Sequence, residues 1–462
     1  MAEKYDLLII GSGPAGYVAG IRAAQLGMRA VIVEKGKVGG VCLNIGCIPS
    51  KALIHQAELF LSLGESEKTG VKIDRSAFDY TTVFSSSRKA ADDLSKGVRF
   101  LLKKNNITLV EAEGKVVGPH DVALSTGETL QAEHLLLATG STPREIPGFS
   151  FDGKDILSSD DALMLEKLPK SLLILGGGAI GCEFAHIMNA FGVQVTVVEM
   201  MDHLLPAEDA DTAAILERSF KKRKITVKTG TTAGGYRREK GSLVVQLEDR
   251  NGKKEETEAE KILVVVGRKA LGDRLGLESV GITVEKGAVP VGDYYQTAVP
   301  SIYAVGDVIA GPQLAHLASK EAEIAVEHMA GRSPEPKADP MLVPRAVYTE
   351  PQVAGFGMTE KEAKEKGLPA AVSVFPYRGA GKSVAVGKTE GQVKIIYRSD
   401  TKEILGAGLA GAQATELLHE LLLAKKAELL PEDLATMIHA HPTLSETLME
   451  AARGVEGWMI HA

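Results

Sequence analysis

Residues 7–16 read LLIIGSGPAG, an apolar run followed at once by three glycines spaced as G-x-G-x-x-G. Residues 172–181, LLILGGGAIG, repeat this pattern. Each copy continues into a helical pattern that ends at a glycine, Gly27 or Gly192, and then into a strand pattern that ends at an acid, Glu34 or Glu199. The acid follows the first glycine by 23 residues in both copies (34 − 11 and 199 − 176). The chain therefore contains a duplicated strand–helix–strand unit.

The glycines and the acid are the residues that a dinucleotide site requires. The first glycine allows a tight turn, the second lets a pyrophosphate approach the backbone, and the third lets the helix pack on the strand. The helix N-terminus then binds the phosphates, and the acid accepts hydrogen bonds from the ribose. We expect two such sites, one with Gly11, Gly13, Gly16 and Glu34, the other with Gly176, Gly178, Gly181 and Glu199.

The second site should prefer NAD over NADP. The carboxylate of Glu199 repels a 2′-phosphate, and residues 200–203 contain no arginine that would bind one.

Three further segments predict buried strands that end in glycine. They are residues 133–140 (EHLLLATG), 260–267 (EKILVVVG) and 301–307 (SIYAVGD). Because ligands of parallel α/β sheets bind beyond the carboxyl ends of the strands, we expect the three glycines, Gly140, Gly267 and Gly306, to lie where a dinucleotide would, with Thr139 and Asp307 next to two of them in sequence.

Composition excludes several classes of protein. A chain of 462 residues should hold about three domains. A net charge of −7 argues against nucleic-acid binding, and no apolar run approaches the ~18–20 residues of a membrane span. Residues 1–6 show no leader, and three cysteines cannot form a secreted disulfide framework. We therefore expect a reducing compartment, the cytoplasm, with neither nucleic acid nor membrane as partner.

Two of the cysteines stand close together in residues 39–51, GGVCLNIGCIPSK. Pro49 suits the first turn of a helix, so Cys47 should lie at a helix N-terminus, which favours its thiolate. A zinc site usually requires a second pair of ligands, and the sequence has no second cysteine pair, so we expect no metal. Buried, unreactive thiols are a further alternative. The glycines and Pro49 favour a redox disulfide between Cys42 and Cys47, whereas Cys182 is expected only to pack.

A redox disulfide requires a carrier of two electrons beside it. The first dinucleotide site is adjacent to the cysteines in sequence, and a flavin can take electrons on one face and pass hydride from the other. We therefore expect FAD in the first site and NAD in the second.

A candidate acid–base pair lies near the end of the chain, in residues 439–446, HAHPTLSE. A thiol attacks a disulfide as its thiolate, so the reaction needs a base. Histidine titrates near neutral pH, and a carboxylate can orient it. His441 with Glu446 is the predicted pair, although most such pairs in proteins are structural.

Taken together, these motifs resemble the pyridine nucleotide–disulfide oxidoreductase family over nearly the whole chain. The resemblance implies an α/β fold with two Rossmann-like dinucleotide-binding domains, for FAD and NAD, and a C-terminal α+β dimerisation domain. The expected boundaries are 1–145 and 269–338 for the FAD-binding domain, 146–268 for the NAD-binding domain and 339–462 for the dimerisation domain. Within the family, residues 47–53 and 439–446 are similar to the members that oxidise protein-bound dihydrolipoamide.

The resemblance also implies roles. Cys42 would exchange with the substrate dithiol, and Cys47 would face the flavin as a thiolate. His441, held by Glu446, would take the proton of the substrate. This histidine would come from the other subunit of a homodimer. Further residues would contact the cofactors: Lys51 near flavin N5 and paired with Glu183 of the NAD site, Gly114 beside the adenine, Asp307 on the ribityl chain, and Leu314, Ala315 and His316 at a helix N-terminus facing flavin N1 and O2.

The implied partner is a lipoyl-bearing protein of a 2-oxoacid dehydrogenase or glycine cleavage complex. Two alternatives stay open from the sequence. The first alternative is an NADH-dependent reductase of another disulfide. The second is a flavoprotein subunit that has no catalytic activity.

Overall fold

The computed structural model describes residues 4–461; the first three residues of the N-terminal stretch, where no leader was expected, lie outside the described residues. The strands are β1 (Lys4–Ile10), β2 (Ala30–Glu34), β3 (Thr108–Glu111), β4 (Gly114–Gly118), β5 (Asp121–Leu124), β6 (Thr129–Leu137), β7 (Ser141–Pro143), β8 (Ile156–Leu157), β9 (Ser171–Leu175), β10 (Gln194–Val198), β11 (Thr226–Lys228), β12 (Thr231–Glu239), β13 (Ser242–Asp249), β14 (Lys254–Ala259), β15 (Lys261–Val264), β16 (Arg268–Ala270), β17 (Ile302–Ala304), β18 (Arg345–Val347), β19 (Gln352–Gly357), β20 (Ala370–Pro376), β21 (Gln392–Arg398) and β22 (Ile404–Gly411).

The α-helices are α1 (Pro14–Gln25), α2 (Gly40–Ile45), α3 (Cys47–Glu65), α4 (Tyr80–Lys104), α5 (Ser159–Ala162), α6 (Ala179–Ala190), α7 (Ala210–Lys222), α8 (Ala315–Met329), α9 (Glu360–Glu365), α10 (Gly381–Ala385), α11 (Ala414–Lys426), α12 (Pro431–Thr436) and α13 (Glu446–Val455). None of the helices in residues 4–461 is long and apolar enough to cross a membrane.

The first sheet is organised around β1, which pairs in parallel with β2 on one side and β6 on the other. The strand order is β3-β2-β1-β6-β5-β4, and β17 also pairs in parallel with β6. Leu7, Leu8 and Ile9 are fully buried, as expected for a parallel strand covered on both faces. Because β17 follows the second unit in sequence, the chain returns to the first sheet after building the second.

The second sheet, β11-β10-β9-β15-β8, is parallel throughout. The antiparallel sheet β12-β13-β14 packs against it, and Leu243, Val245 and Leu247 share a core with Leu173 and Leu175. The parallel order β10-β9-β15 repeats β2-β1-β6 of the first sheet, so the sequence repeat is also a structural repeat.

The two phosphate-binding loops have the same backbone geometry. Gly11 has φ +104° and Gly176 has φ +113°, conformations that side chains rarely adopt. A Cβ atom on Gly16 would overlap the carbonyl oxygen of Gly11, and one on Gly181 would overlap that of Gly176. The close approach of helix and strand at these positions is therefore available to glycine alone.

The third sheet, β18-β19-β22-β21-β20, is antiparallel. Leu418 of α11, Leu434 of α12 and Leu448 of α13 pack in one core with Phe375 and Val393 of the sheet. This arrangement completes the predicted α/β fold class with its C-terminal α+β part.

Ion pairs join the second unit to the C-terminal unit. The side chain of Lys394, on β21, is 2% exposed, and its Nζ lies 2.7 Å from Glu360, 2.9 Å from Asp211 and 3.4 Å from Asp209. The aspartates precede and begin α7 of the second unit, whereas Lys394 and Glu360 belong to the C-terminal unit. The two units are therefore tied by buried charge as well as by apolar contacts.

Candidate active site

A cavity of about 890 Å³ opens where β1, β2 and β6 end. Its lining includes Ile10, Val33 and Ala138, the residues at or just beyond the carboxyl ends of these strands. The predicted site residues that line it are Gly11, Gly13, Glu34, Cys42, Cys47, Lys51, Gly114, Thr139, Gly140, Glu183, Asp307, Leu314, Ala315 and His316. One cavity thus gathers most of the residues that the sequence assigned to the flavin and to the cysteines.

The cysteines lie on either side of a break between two helices. Cys42 is within α2, and Cys47 is the first residue of α3, with Gly46 as the N-cap. The predicted position of Cys47 at a helix N-terminus is therefore confirmed. A Cβ atom on Gly46 would lie 2.9 Å from the carbonyl oxygen of Val41, so the tight turn between the helices needs glycine.

The environment separates the chemistry of the two thiols. A hydrogen bond from the Cys42 thiol and the charge of Lys51 together lower the pKa of Cys47 to about 7, against the opposing effect of burial. The same hydrogen bond, together with burial, raises the pKa of Cys42. Cys47 is thus the thiolate of the pair and Cys42 the thiol.

Lys51 and Glu183 form the ion pair that the family resemblance implied. The Lys51 Nζ lies 3.0 and 2.9 Å from the two carboxylate oxygens of Glu183, which is almost fully buried. Burial lowers the pKa of Lys51, but Glu183 more than offsets it, so the pKa lies above its usual value. The ring of Tyr348 lies 4.6 Å from the Lys51 Nζ, and the backbone N–H of Tyr348 donates a hydrogen bond to the Glu183 carboxylate at 3.1 Å. This cation is therefore fixed in place beside Cys47.

Helix α6 connects the second phosphate-binding loop to the same cavity. Ile180, Glu183, Phe184 and Ile187 line it from one side of the helix. Sequence reasoning found Glu183 but missed the three apolar residues and Tyr348. The spacing i, i+3, i+4, i+7 of the four helix residues was a signal for one helix face, whereas nothing in the sequence pointed to Tyr348.

The carboxylates of Glu34 and Glu199 hold their loops in matching ways. Glu34 accepts hydrogen bonds from the N–H groups of Ser12 at 2.8 Å and Gly36 at 2.7 Å. Glu199 accepts hydrogen bonds from the N–H groups of Gly177 at 2.6 Å and Met201 at 2.8 Å. Each acid thus bridges its phosphate-binding loop and the turn after its own strand.

Asp307 is held at the cavity wall by a chain of side-chain hydrogen bonds. Arg268 Nε donates to Ser141 Oγ at 2.7 Å, and Ser141 Oγ donates to Asp307 at 2.6 Å. Helix α8 begins at Ala315 with Leu314 as its N-cap, as predicted, so its free N–H groups face the cavity. His316 is anchored at 2.9 Å to the carbonyl oxygen of Pro344.

Several features of the cavity fit a flavin dinucleotide. Thr139 Oγ1 and Asn44 Oδ1 border it and are buried without a hydrogen-bond partner, as expected of groups that bind a polar ligand. Gly13 stands at the N-cap of α1 with open space where its side chain would be, so a pyrophosphate can approach this helix end. The residues present therefore fit FAD. Among residues 4–461, no group of three or more His, Cys, Asp and Glu side chains is arranged so that it could hold a metal ion.

Asn44, between the cysteines, also makes a contact that the sequence did not indicate. Arg88 of α4 donates from Nη1 to the carbonyl oxygen of Asn44 at 2.8 Å. The Asn44 amide donates to the carbonyl oxygens of Val38 and Gly40. The loop that carries both thiols is thus fixed from two sides.

His441 and Glu446 lie together but away from the cavity. The His441 Nδ1 is 2.9 Å from Glu446 Oε1, and Glu446 also accepts from the N–H of Thr443 at 2.9 Å. The His441 side chain is 76% exposed, and neither residue of the pair lines the cavity. Gly16, Gly176, Gly178, Gly181, Glu199 and Gly267 do not line it either.

The third cysteine is fully buried within α6, and its thiol donates to the carbonyl oxygen of Gly177 at 3.3 Å. Burial raises the pKa of the Cys182 thiol. It is therefore an unreactive packing residue, as expected.

Comparison with known proteins identifies the family. Residues 5–322 match the sequence model of the pyridine nucleotide-disulphide oxidoreductases, and residues 343–452 match that of their dimerisation domain. The dihydrolipoyl dehydrogenase of Bacillus subtilis is 41% identical, with 100% of both chains covered. That of Thermus scotoductus is 42% identical, with 99% of both chains covered.

Solved structures agree with this assignment. LpdA from Mycobacterium tuberculosis superposes with a TM-score of 0.89 at 27% identity, covering 97% of this chain and 99% of that one. The HOCl-induced flavoprotein disulfide reductase RclA from Escherichia coli superposes with a TM-score of 0.86 at 26% identity, covering 97% and 99%. The chain therefore belongs to the pyridine nucleotide-disulphide oxidoreductase family.

Proposed function

We propose that the protein is an FAD-dependent dihydrolipoyl dehydrogenase, which oxidises protein-bound dihydrolipoamide to lipoamide and reduces NAD⁺. The observation that carries this proposal is the thiol pair Cys42 and Cys47, placed with the Lys51–Glu183 ion pair in a cavity that also borders helix α6 of the second dinucleotide unit. The full-length relatives that bear this name support it.

The two cysteines take different parts in the exchange. In the oxidised enzyme they form a disulfide, and a substrate thiolate attacks the sulfur of Cys42. Cys47 leaves as the thiolate, which its lowered pKa favours, because a more acidic thiol is the better leaving group. The second substrate thiol then displaces Cys42, so that the substrate gains a disulfide and the enzyme gains two electrons.

The residues that line the cavity, with Gly13 at the N-cap of α1, would hold FAD, which would supply the two-electron transfer between the enzyme dithiol and NAD⁺. The surrounding residues bind and orient: Lys51 holds positive charge beside the Cys47 thiolate, and Asp307 lies on the cavity wall as a hydrogen-bond acceptor. The overall reaction balances as dihydrolipoamide and NAD⁺ giving lipoamide, NADH and one proton.

His441 serves as the base that takes the substrate proton. Its Nδ1 is occupied by Glu446, which leaves Nε2 for the substrate. Because the pair lies on the exposed surface of the chain, away from its own cavity, it acts at the cavity of a second subunit in a homodimer. The match of residues 343–452 to a dimerisation domain supports this arrangement.

We further assign residues 1–145 and 269–338 to the FAD-binding domain, 146–268 to the NAD-binding domain and 339–462 to the dimerisation domain. A lipoyl-bearing protein of a 2-oxoacid dehydrogenase or glycine cleavage complex is the proposed partner, in the cytoplasm.

The test uses the purified holoprotein with dihydrolipoamide and NAD⁺, and follows the absorbance of NADH. Cys42→Ser and Cys47→Ser should abolish turnover, whereas Cys182→Ser, a matched change of a buried thiol outside the cavity, should retain it. A yellow wild-type protein without turnover would refute the proposal. Turnover with NADPH and glutathione disulfide instead would identify a reductase of another disulfide.

A further inference from the structure

An exposed ion pair lies at the edge of the second dinucleotide unit. Arg250, at the turn after β13, places its Nη2 2.6 Å from Asp202 Oδ1. Asp202 belongs to the turn that follows Glu199, the acid expected to accept the ribose hydroxyls. The side chains are 55% and 79% exposed, so both charges are open to a ligand.

The backbone fixes Arg250 next to this turn. The N–H of Gly230 donates to the carbonyl oxygen of Met201 at 2.8 Å, and the N–H of Arg250 donates to the carbonyl oxygen of Gly230 at 3.0 Å. The N–H of Thr231 donates to the carbonyl oxygen of Glu199 at 3.0 Å. Arg250 is thus two hydrogen bonds away from the turn between Glu199 and Asp202, although it is distant in sequence.

Gly230 supplies a second reason for this placement. It has φ +57°, and a Cβ atom at this position would lie 2.6 Å from Nε of Arg250 and 2.9 Å from its Cζ. The guanidinium group therefore lies over the Gly230 backbone, where a Cβ atom would displace it. Residues 200–203, which follow Glu199, contain no arginine, but Arg250 from the neighbouring antiparallel sheet lies beside them.

An arginine near the ribose acid is the group that binds the 2′-phosphate of NADP, through paired N–H donors. Here that arginine is neutralised. We propose that Asp202 withholds Arg250 from a 2′-phosphate, and that Asp202 acts together with Glu199 as a coenzyme-selectivity residue. This inference rests on the proposed function, since it assumes that the second unit binds NAD.

Neutralising Asp202 should have two effects of the same sign. It removes one negative charge that repels a 2′-phosphate, and it frees the charge of Arg250 to attract one. Single exposed charge pairs change affinities by about 1.4-fold to fivefold, so the two effects together should favour a 2′-phosphate by about twofold to 25-fold. Because the groups are exposed, added salt should reduce the gain.

The test measures binding by isothermal titration calorimetry on the holoprotein, with 5′-AMP and 2′,5′-ADP as probes that differ by the 2′-phosphate. The readout is the ratio of the two dissociation constants. Asp202→Asn should shift this ratio toward 2′,5′-ADP by about twofold to 25-fold. Combining it with Arg250→Gln should reduce the shift to the part that the lost repulsion contributes, about 1.4-fold to fivefold, because the attracting charge is then absent.

Glu256→Gln is the matched control, since Glu256 forms an exposed ion pair with Arg237 at 2.6 Å in the same small sheet. It should leave the ratio unchanged. A ratio that does not move in Asp202→Asn, or that moves equally in Glu256→Gln, would overturn the inference. If the wild-type protein binds neither probe and does not reduce NAD⁺, the proposed function fails instead.

Discussion

Two histidines compete for the role of base, and the structure distinguishes them. His439 is 3% exposed, and both its nitrogens are engaged: Nε2 lies 2.8 Å from Glu420 and Nδ1 lies 3.2 Å from the carbonyl oxygen of Met437. His441 is exposed and uses Nδ1 for Glu446. Of the two, only His441 has a nitrogen available to a substrate thiol.

Replacing each histidine with glutamine should therefore have different consequences. A positioned base contributes about 10²–10⁴-fold to a rate, which is about 2.7–5.4 kcal/mol of transition-state stabilisation. His441→Gln should lower kcat for dihydrolipoamide oxidation by that factor. His439→Gln breaks a buried hydrogen bond instead, so it should destabilise the fold by about 1–2 kcal/mol while kcat falls less than about threefold.

The assay separates the two half-reactions by rapid mixing. Reduction of the flavin by NADH does not require the imidazole and should stay normal in His441→Gln, whereas reduction by dihydrolipoamide should slow. Size-exclusion chromatography would verify that each variant keeps its oligomeric state. A normal dihydrolipoamide rate in His441→Gln, or the large loss in His439→Gln, would refute the assignment.

Three other predictions concern the thiols and the ion pairs. Cys42→Ser should leave a Cys47 thiolate beside oxidised FAD and give long-wavelength absorbance without turnover; a band in Cys47→Ser instead would exchange the two roles. Because the pKa of Cys47 is lowered from 9.0 to about 7, alkylation of the reduced enzyme by iodoacetamide should fall off as pH drops below 7, and Lys51→Met should move this midpoint upward. Lys394→Met leaves three carboxylates close together without their cation, so it should lower the free energy of unfolding in urea by about 3 kcal/mol, and an unchanged midpoint would show that the cluster adds nothing.

The dinucleotide units and the thiol pair could be predicted because their chemistry is local in sequence. Gly11 and Glu34 belong to one strand–helix–strand unit, and the segment that carries Cys42 and Cys47 follows that unit directly, so spacing alone carries the information. The Lys51–Glu183 pair spans 132 residues, and it was predicted from the family resemblance rather than from any pattern in the chain.

The residues that sequence reasoning missed depend on packing between units. Tyr348 reaches Lys51 from the C-terminal part of the chain, and Arg88 reaches the cysteine loop from α4. Arg250 joins the turn after Glu199 only because a separate sheet folds against it. Such contacts require the relative placement of the units, which no local periodicity encodes.

The position of His441 outside its own cavity has a consequence for mass action. If each cavity needs a base from the opposite chain, a single folded chain can exchange electrons between NADH and flavin but cannot process the dithiol. Dilution below the dissociation constant of the dimer should therefore silence the physiological reaction before the protein unfolds or loses its colour. Catalysis would then be a concentration-dependent property of a pair of chains.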